Sequence, residues 1–229
     1  MIKNNIFVIA EAGNNHEGNI NIAYDLIGQA RACGCDAVKF HAGTAEGFAR
    51  SPDKVKAYEK YVLTLEDFTD LIKYGEEIGI PVFFSIWSAE YEPLRTLEKF
   101  HKIPVRQCTK EIIKKYDGPN TFVSIPNFQD TRYLGLGIRL STPLHCVPEY
   151  PTVRPALGII IMLADIYGKA GYSDHTIGIE TCIEAAEDFG ACVIEKHFTL
   201  DKNTQGLRDH VLSANPVEMK RLVEAVKSL

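Results

Sequence analysis

Eight short strand-like runs alternate along the chain with segments of helical periodicity, and that alternation restricts the folds open to it. Strands are expected at residues 6–12, 37–41, 81–86, 105–108, 121–125, 139–146, a polar run ending at 173–175, and 191–194. Apolar runs of this length, bounded by glycine, proline and asparagine, read as buried parallel strands. Between them lie helix signals. Asn19 or Asn21 can cap a helix whose apolar face is Ile22, Leu26, Ile27 and Ala30. Thr64-Leu65-Glu66-Asp67 opens a second helix that runs to Ile78. Further helices are expected at 88–100, with Pro93 in its first turns, and at 110–116, 154–167 and 179–189. Residues 129–137 form the weakest helix, because Gly135 and Gly137 interrupt it. Asn215-Pro216-Val217-Glu218 caps the last one, with proline at its first position. The 229 residues therefore predict a single (β/α)8 TIM barrel over residues 1–229, shortened around strands 4–6. A doubly wound sheet fits the same alternation, but GxGxxG and GK[ST] loops are missing. Residues 42–63 exceed an ordinary strand–helix connection and are expected to cover a site.

Charge and composition remove several classes of function. A formal net charge of −5 without a Lys/Arg cluster argues against nucleic acid as a partner. The longest apolar run, 157–164, is too short to span a bilayer, so no membrane partner is expected. Met1-Ile2-Lys3 leads straight into a strand without a leader pattern. The six cysteines (Cys33, Cys35, Cys108, Cys146, Cys182 and Cys192) form no CxxC pair and read as reduced thiols. The expected location is cytoplasmic.

In a barrel, chemistry collects at the C-terminal ends of the strands. Those ends carry Glu11, Lys39, Ser85, His145, Tyr150, Asp174, His175, Glu195, Lys196 and His197. Two successive strand–helix units end in a histidine beside carboxylates: Ser173-Asp174-His175 and Glu195-Lys196-His197. His175 and His197 either share a divalent metal or each satisfy a backbone carbonyl. Glu11 and Lys39 either serve a substrate or pair to close the barrel end. A charge at a buried strand end needs a partner in both cases. His145 is equally a core histidine. Tyr150-Pro151 can simply shape a turn, and Asp209 and His210 can be ordinary solvated residues. His101 is expected at the surface. The acid–base groups together suit carbonyl polarisation and proton movement.

The segments IAEAGNNHEGN, CDAVKF, HCVPEYPT, GYSDHTIGIE and VIEKHFTLDKN resemble the sialic acid synthase family. That family condenses phosphoenolpyruvate with an N-acylated hexosamine to give nonulosonic acids, on a TIM barrel. The resemblance implies that His175 and His197 are manganese ligands, with Mg2+, Co2+ or Zn2+ as alternatives. It places Glu11 and Glu195 near metal and substrate, Lys39 and Ser173 near phosphoenolpyruvate, and Tyr150 and Asp209 near the acceptor sugar. Asp174 joins Glu11, Lys39 and Glu195 in the set expected to be catalytic. A homodimer is expected as well.

The chain departs from the family pattern at the third, fourth and fifth strands. Ser85-Ile86-Trp87-Ser88 replaces a serine-threonine-proline-phenylalanine sequence, which leaves Ser85 as the expected substrate contact. Arg106-Gln107-Cys108-Thr109-Lys110 stands where a lysine and a serine-glycine-glutamate motif are expected. With Gln107 aligned to that lysine, Lys110 at a helix start becomes the expected phosphate ligand. Ser124-Ile125-Pro126 replaces serine-threonine-glycine, His41 replaces a glutamine and Pro148 an asparagine. A C-terminal antifreeze-like domain is not expected in this sequence. Three readings stay open: a phosphoenolpyruvate-dependent synthase with an unusual aldose acceptor, a metal-dependent lyase or other carbonyl enzyme, and a non-catalytic sugar-binding barrel.

Overall fold

The structure, a computed structural model, describes residues 6–49, 51–126 and 135–229. Eight parallel strands close into a barrel in sequence order. They are β1 (Phe7–Gly13), β2 (Ala37–Ala42), β3 (Val82–Ile86), β4 (His101–Ile103), β5 (Thr121–Ile125), β6 (Thr142–Cys146), β7 (Gly171–Asp174) and β8 (Val193–His197). The expected TIM barrel, short around strands 4–6, is the fold. No helix among the described residues is long and apolar enough to cross a membrane.

Side chains alternate along each strand and so sort onto two faces. Val8, Ala10, Val38, Phe40, Val82, Phe84, Val123 and Ile194 face outward and pack under the helices. Ile9, Ala37, Phe83, Phe122, Leu144 and Val193 form a second cluster, which fills the lower half of the barrel interior. The next inward positions toward the strand ends are polar: Glu11, Lys39, Ser85, Lys102, Ser124, Ser173 and Glu195. The apolar layer is thus the floor of a polar mouth.

Helix signals read from sequence hold where caps were explicit. The helix Ile20–Ala32 is capped by Asn19, whose side chain accepts from the Asn21 N–H. Thr64 and Asp67 form a capping box on Leu65–Ile78, and Asn215 and Glu218 form another on Pro216–Lys227. The region 88–100 is instead a 3-10 helix, Ala89–Thr96, because Pro93 lies inside it and cannot donate to an α-helical ladder. Strand 6 is shorter than expected and begins at Thr142. Residues 42–63 hold four short pieces, Ala45–Phe48, the 3-10 turn Pro52–Lys54, Val55–Tyr58 and the 3-10 turn Glu59–Tyr61. Much of the weak helix expected at 129–137 lies outside the described residues.

The main correction is β4. It spans His101–Ile103, not 105–108, and Val105–Gln107 is a 3-10 turn. The strand is three residues long and meets β3 at one register pair, Ser85 opposite Lys102. Side chains supply what the short ladder cannot. Glu98 Oε2 accepts from the Phe84 N–H at 2.9 Å, and His101 Nδ1 lies 2.8 Å from Glu98 Oε1. Arg95 contacts the same carboxylate at 3.4 Å. His101 is therefore half-buried against Glu98 rather than a free surface group.

Alternation also moves Asp174. Ser173 faces inward, so Asp174 faces the helices, opposite Lys196 in the β7–β8 register. Lys196 Nζ donates to Asp174 Oδ2 at 2.6 Å, and both side chains are fully buried. Asp174 also accepts from the Tyr172 hydroxyl at 2.8 Å and from the Thr176 N–H at 3.0 Å. The expected catalytic carboxylate is thus a structural clamp outside the barrel. Removing one partner strands the other charge, at a cost of about 3–5 kcal/mol. Asp174→Ala should lower stability by about that amount in urea unfolding. The double variant Asp174→Ala/Lys196→Met should regain a large part of it.

Candidate active site

The barrel mouth opens into a cavity of about 1080 Å3. Its wall includes Glu11 on β1, Lys39 and His41 on β2, Ser85 on β3, Lys102 on β4, Ser173 on β7, and Glu195 and His197 on β8. His175 follows β7, a loop adds Tyr150, and the start of the short helix Asp209–Leu212 adds Arg208 and Asp209. Nine of the expected site residues meet here: Glu11, Lys39, Ser85, Tyr150, Ser173, His175, Glu195, His197 and Asp209. Two do not. Asp174 lies behind the sheet, and Lys110 is exposed at the start of the outer helix Lys110–Tyr116.

Four charges form a chain across the mouth. Lys39 Nζ contacts Glu11 Oε2, donates to Ser85 Oγ at 3.0 Å and lies 3.8 Å from Glu195 Oε1. Lys102 Nζ donates to Glu195 Oε2 at 2.9 Å, reaching from β4 to β8 on the opposite side of the barrel. Ser173 Oγ donates to Glu195 Oε1 at 2.8 Å, and His41 Nε2 sits 3.2 Å from Glu11 Oε1. Burial alone would raise both carboxyls. The attraction of Lys39 and His41 outweighs it for Glu11 and holds that group at about 2. Lys102 and Lys39 do the same for Glu195, also at about 2. Burial would lower Lys39, but Glu11 and Glu195 raise it above its ordinary value. Signs therefore alternate Glu11, Lys39, Glu195, Lys102.

The histidines behave oppositely. Burial, aided by His175, pushes His197 well below its ordinary value. Burial also lowers His175, against the opposing effect of the Val147 carbonyl. His175 Nδ1 lies 2.6 Å from Val147 O, and a carbonyl only accepts. The proton of the neutral ring is thus on Nδ1, which leaves Nε2 as a lone pair. The two rings lie 5.3 Å apart between centroids, and Tyr150 stacks on His175 at 4.0 Å.

Two adjacent neutral imidazoles fit a divalent metal, and His197 Nδ1 is a buried atom without a hydrogen-bond partner among the described residues. No group of three or more His, Cys, Asp or Glu side chains arranged for a metal occurs among those residues. Two protein nitrogens would leave the other coordination positions to water and substrate.

Lys102 is the functional-type residue that the sequence reading missed. A three-residue strand, His101-Lys102-Ile103, is too short to show a hydrophobic period, and the sequence points instead to the run beyond Pro104. Pro104 itself was the usable signal, because the residue before proline favours extended backbone and marks Ile103 as the strand end. Aromatic groups also line the cavity: Trp87 under the Arg106 guanidinium at 4.5 Å, and Tyr150 under that of Arg208 at 4.7 Å.

Paired lysines and carboxylates beside two buried histidines at a barrel mouth form a polar pocket of a kind suited to small-molecule chemistry. The NeuB family profile matches residues 138–229. The chain is 32% identical to the N,N'-diacetyllegionaminic acid synthase of Campylobacter jejuni over 97% of its own length and 75% of that protein's. It is 33% identical to an uncharacterised protein of Methanocaldococcus jannaschii, over 96% of this chain and 70% of that one. The crystal structure of the N-acetylneuraminic acid synthetase of Leptospira borgpetersenii, in complex with citrate, superposes with a TM-score of 0.87 at 28% identity. It covers 98% of this chain and 84% of the other. The chain belongs to the NeuB family, and that membership supports a catalytic function.

The fit of the two imidazoles to a divalent ion can be tested. If His175 and His197 hold such an ion, His175→Ala and His197→Ala should each weaken Mn2+ binding by more than the roughly 10- to 100-fold typical of losing an outer-shell partner. Electron paramagnetic resonance titration measures it, with circular dichroism unchanged.

Proposed function

We propose that the chain condenses phosphoenolpyruvate with the aldehyde of an aldose or N-acyl hexosamine, with metal assistance, to give a nonulosonic-acid-like 2-keto acid and inorganic phosphate. The observation that carries this reading is the charge chain Glu11–Lys39–Glu195–Lys102 set beside His175 and His197 in one cavity. Phosphoenolpyruvate brings a carboxylate and a phosphate, and a partly dry site must meet both with cations. Lys39 and Lys102 are two such cations, held on different strands.

In the reaction, C3 of phosphoenolpyruvate attacks the aldehyde carbon, water adds at C2, and the C2–O–P linkage collapses with release of phosphate. A divalent ion held by His175 and His197 would polarise the aldehyde oxygen. The protein's own part is orientation and proton handling. Ammonium groups that bind the substrate's anions share their donors less with Glu11 and Glu195. The two carboxylates then become more basic, and one can take the proton of the attacking water. Ser85 and Ser173 hold Lys39 and Glu195 in place through their hydroxyls.

The lyase alternative rests on altered phosphate contacts at the third, fourth and fifth strands; Lys102, inward-facing on β4, supplies a cation at the fourth and favours the synthase reading. The assay is phosphate release from phosphoenolpyruvate with a panel of aldoses and Mn2+; no release with any aldose by folded protein would refute the proposal. Hydrogen bonds to charged groups contribute about 1.5–3 kcal/mol. Lys102→Met should therefore weaken phosphoenolpyruvate binding by roughly 10- to 150-fold in calorimetry at fixed metal. Lys110→Ala, on the outer surface, should leave the affinity within about twofold of wild type.

A further inference from the structure

Asp209 and Arg208 reach the cavity not from a barrel strand but from the one-turn helix Asp209–Leu212, with Arg208 at its N-cap, so something must fix that turn. The residue after them, His210, is 1% exposed at its side chain and joins two partners. His210 Nε2 donates to Glu17 Oε1 at 2.9 Å, and Nδ1 lies 2.8 Å from Thr199 Oγ1. Thr199 follows β8, whereas Glu17 lies in the loop after β1. His210 thus ties the two ends of the closed barrel seam together above the sheet.

Glu17 has an unusual backbone. Among the described residues it is the one non-glycine with positive φ, at 53°. That region is disfavoured for a residue bearing Cβ, and such conformations persist where surrounding contacts fix them. The contacts are present. A Cβ added at Gly206 would come within 2.8 Å of Glu17 Oε2 and 3.1 Å of the Tyr61 hydroxyl. A Cβ at Gly18 would strike the Lys60 carbonyl at 1.9 Å. Three mouth segments therefore meet around Glu17: the loop after β1, the turn Glu59–Tyr61 and the segment from Gly206 into the helix Asp209–Leu212.

We infer that Glu17 is a positioning residue, which through His210 holds Asp209 and Arg208 at the end of the cavity where the acceptor aldose binds. This rests on the acceptor reading above. Glu17 makes no cavity contact of its own, and it keeps glutamate in a conformation that glycine would adopt at less cost. A purely structural role would favour glycine here.

That contrast supplies the test. Glu17→Gly relieves the backbone but leaves the buried His210 Nε2 without its acceptor, so the two effects oppose each other and thermal stability should change little. Amide exchange at residues 207–209 should then speed up by about tenfold or more, with the barrel strands unaffected. The KM for the aldose should rise by on the order of tenfold while calorimetric phosphoenolpyruvate affinity stays the same. Glu17→Gln, which keeps an acceptor for His210, should stay near wild type in both readouts. Unchanged exchange at 207–209 in Glu17→Gly overturns the inference. So does faster exchange throughout the barrel, or local opening with an unaltered aldose KM. Absence of turnover in the wild type would instead refute the proposed reaction, and the exchange result would still decide whether Glu17 holds the loop.

Discussion

The barrel mouth depends on one arrangement: four buried charges of alternating sign, Glu11, Lys39, Glu195 and Lys102. Each alone would cost several kcal/mol to bury, and pairing offsets that cost only if geometry is good. Closure of the sheet provides the geometry. Glu195 on β8 stands beside β1 and faces β4, so it is within reach of both Lys39 and Lys102. A doubly wound sheet, with β1 and β8 apart, would leave these carboxylates without such partners. The chain of charges sums to zero, so an incoming anion meets two ammonium groups without a net field to overcome. It must compete with the carboxylates for those donors, and in the proposed reaction this competition would link anion binding to their basicity.

Alternation along the strands divides labour between two faces of the same residues' neighbours. Glu195 faces the cavity and Lys196 faces the helices, while Ser173 and Asp174 split in the same way. The outer pair Asp174–Lys196 locks β7 to β8 directly behind the histidine-bearing ends. The clamp and the reactive set are separated by one sheet thickness. A change in one of the outer charges is therefore read first as stability, and in an inner charge as binding.

The parts legible in sequence were those with a periodic or capping signature. Caps at Asn19, Thr64 and Asn215 and the apolar strands β1, β2, β3 and β8 follow from local chemistry. So did the convergence of Glu11, Lys39, Glu195, His175 and His197, because strand ends meet in any barrel. Asp174 was misplaced because its neighbour His175 drew attention to its charge instead of its parity. Lys102 is hidden in the sequence because β4 is three residues long and meets β3 at a single register pair. Glu98 and Arg95 hold it through contacts that span the 3-10 segment before it, and side-chain support of that kind leaves no periodic trace. A short strand that is stabilised by side chains looks like a loop when read residue by residue.

The two histidines complete the physical argument. They stand next to four charges yet are held neutral, since burial lowers both and the His175 ring further lowers His197. Glu11 and Glu195 could in principle protonate them, but the lysines already neutralise those carboxylates. The lysines thus have two functions. They present ammonium donors to the cavity, and they keep the carboxylates from drawing protons onto His175 and His197, whose lone pairs a metal requires. Removing Lys102 would consequently disturb more than an anion contact. Glu195 would be left with Lys39 at 3.8 Å as its nearest cation, and the imidazoles would feel a less compensated carboxylate. The lysines, the carboxylates and the histidines form one electrostatic unit, fixed by strand register more than by any single residue.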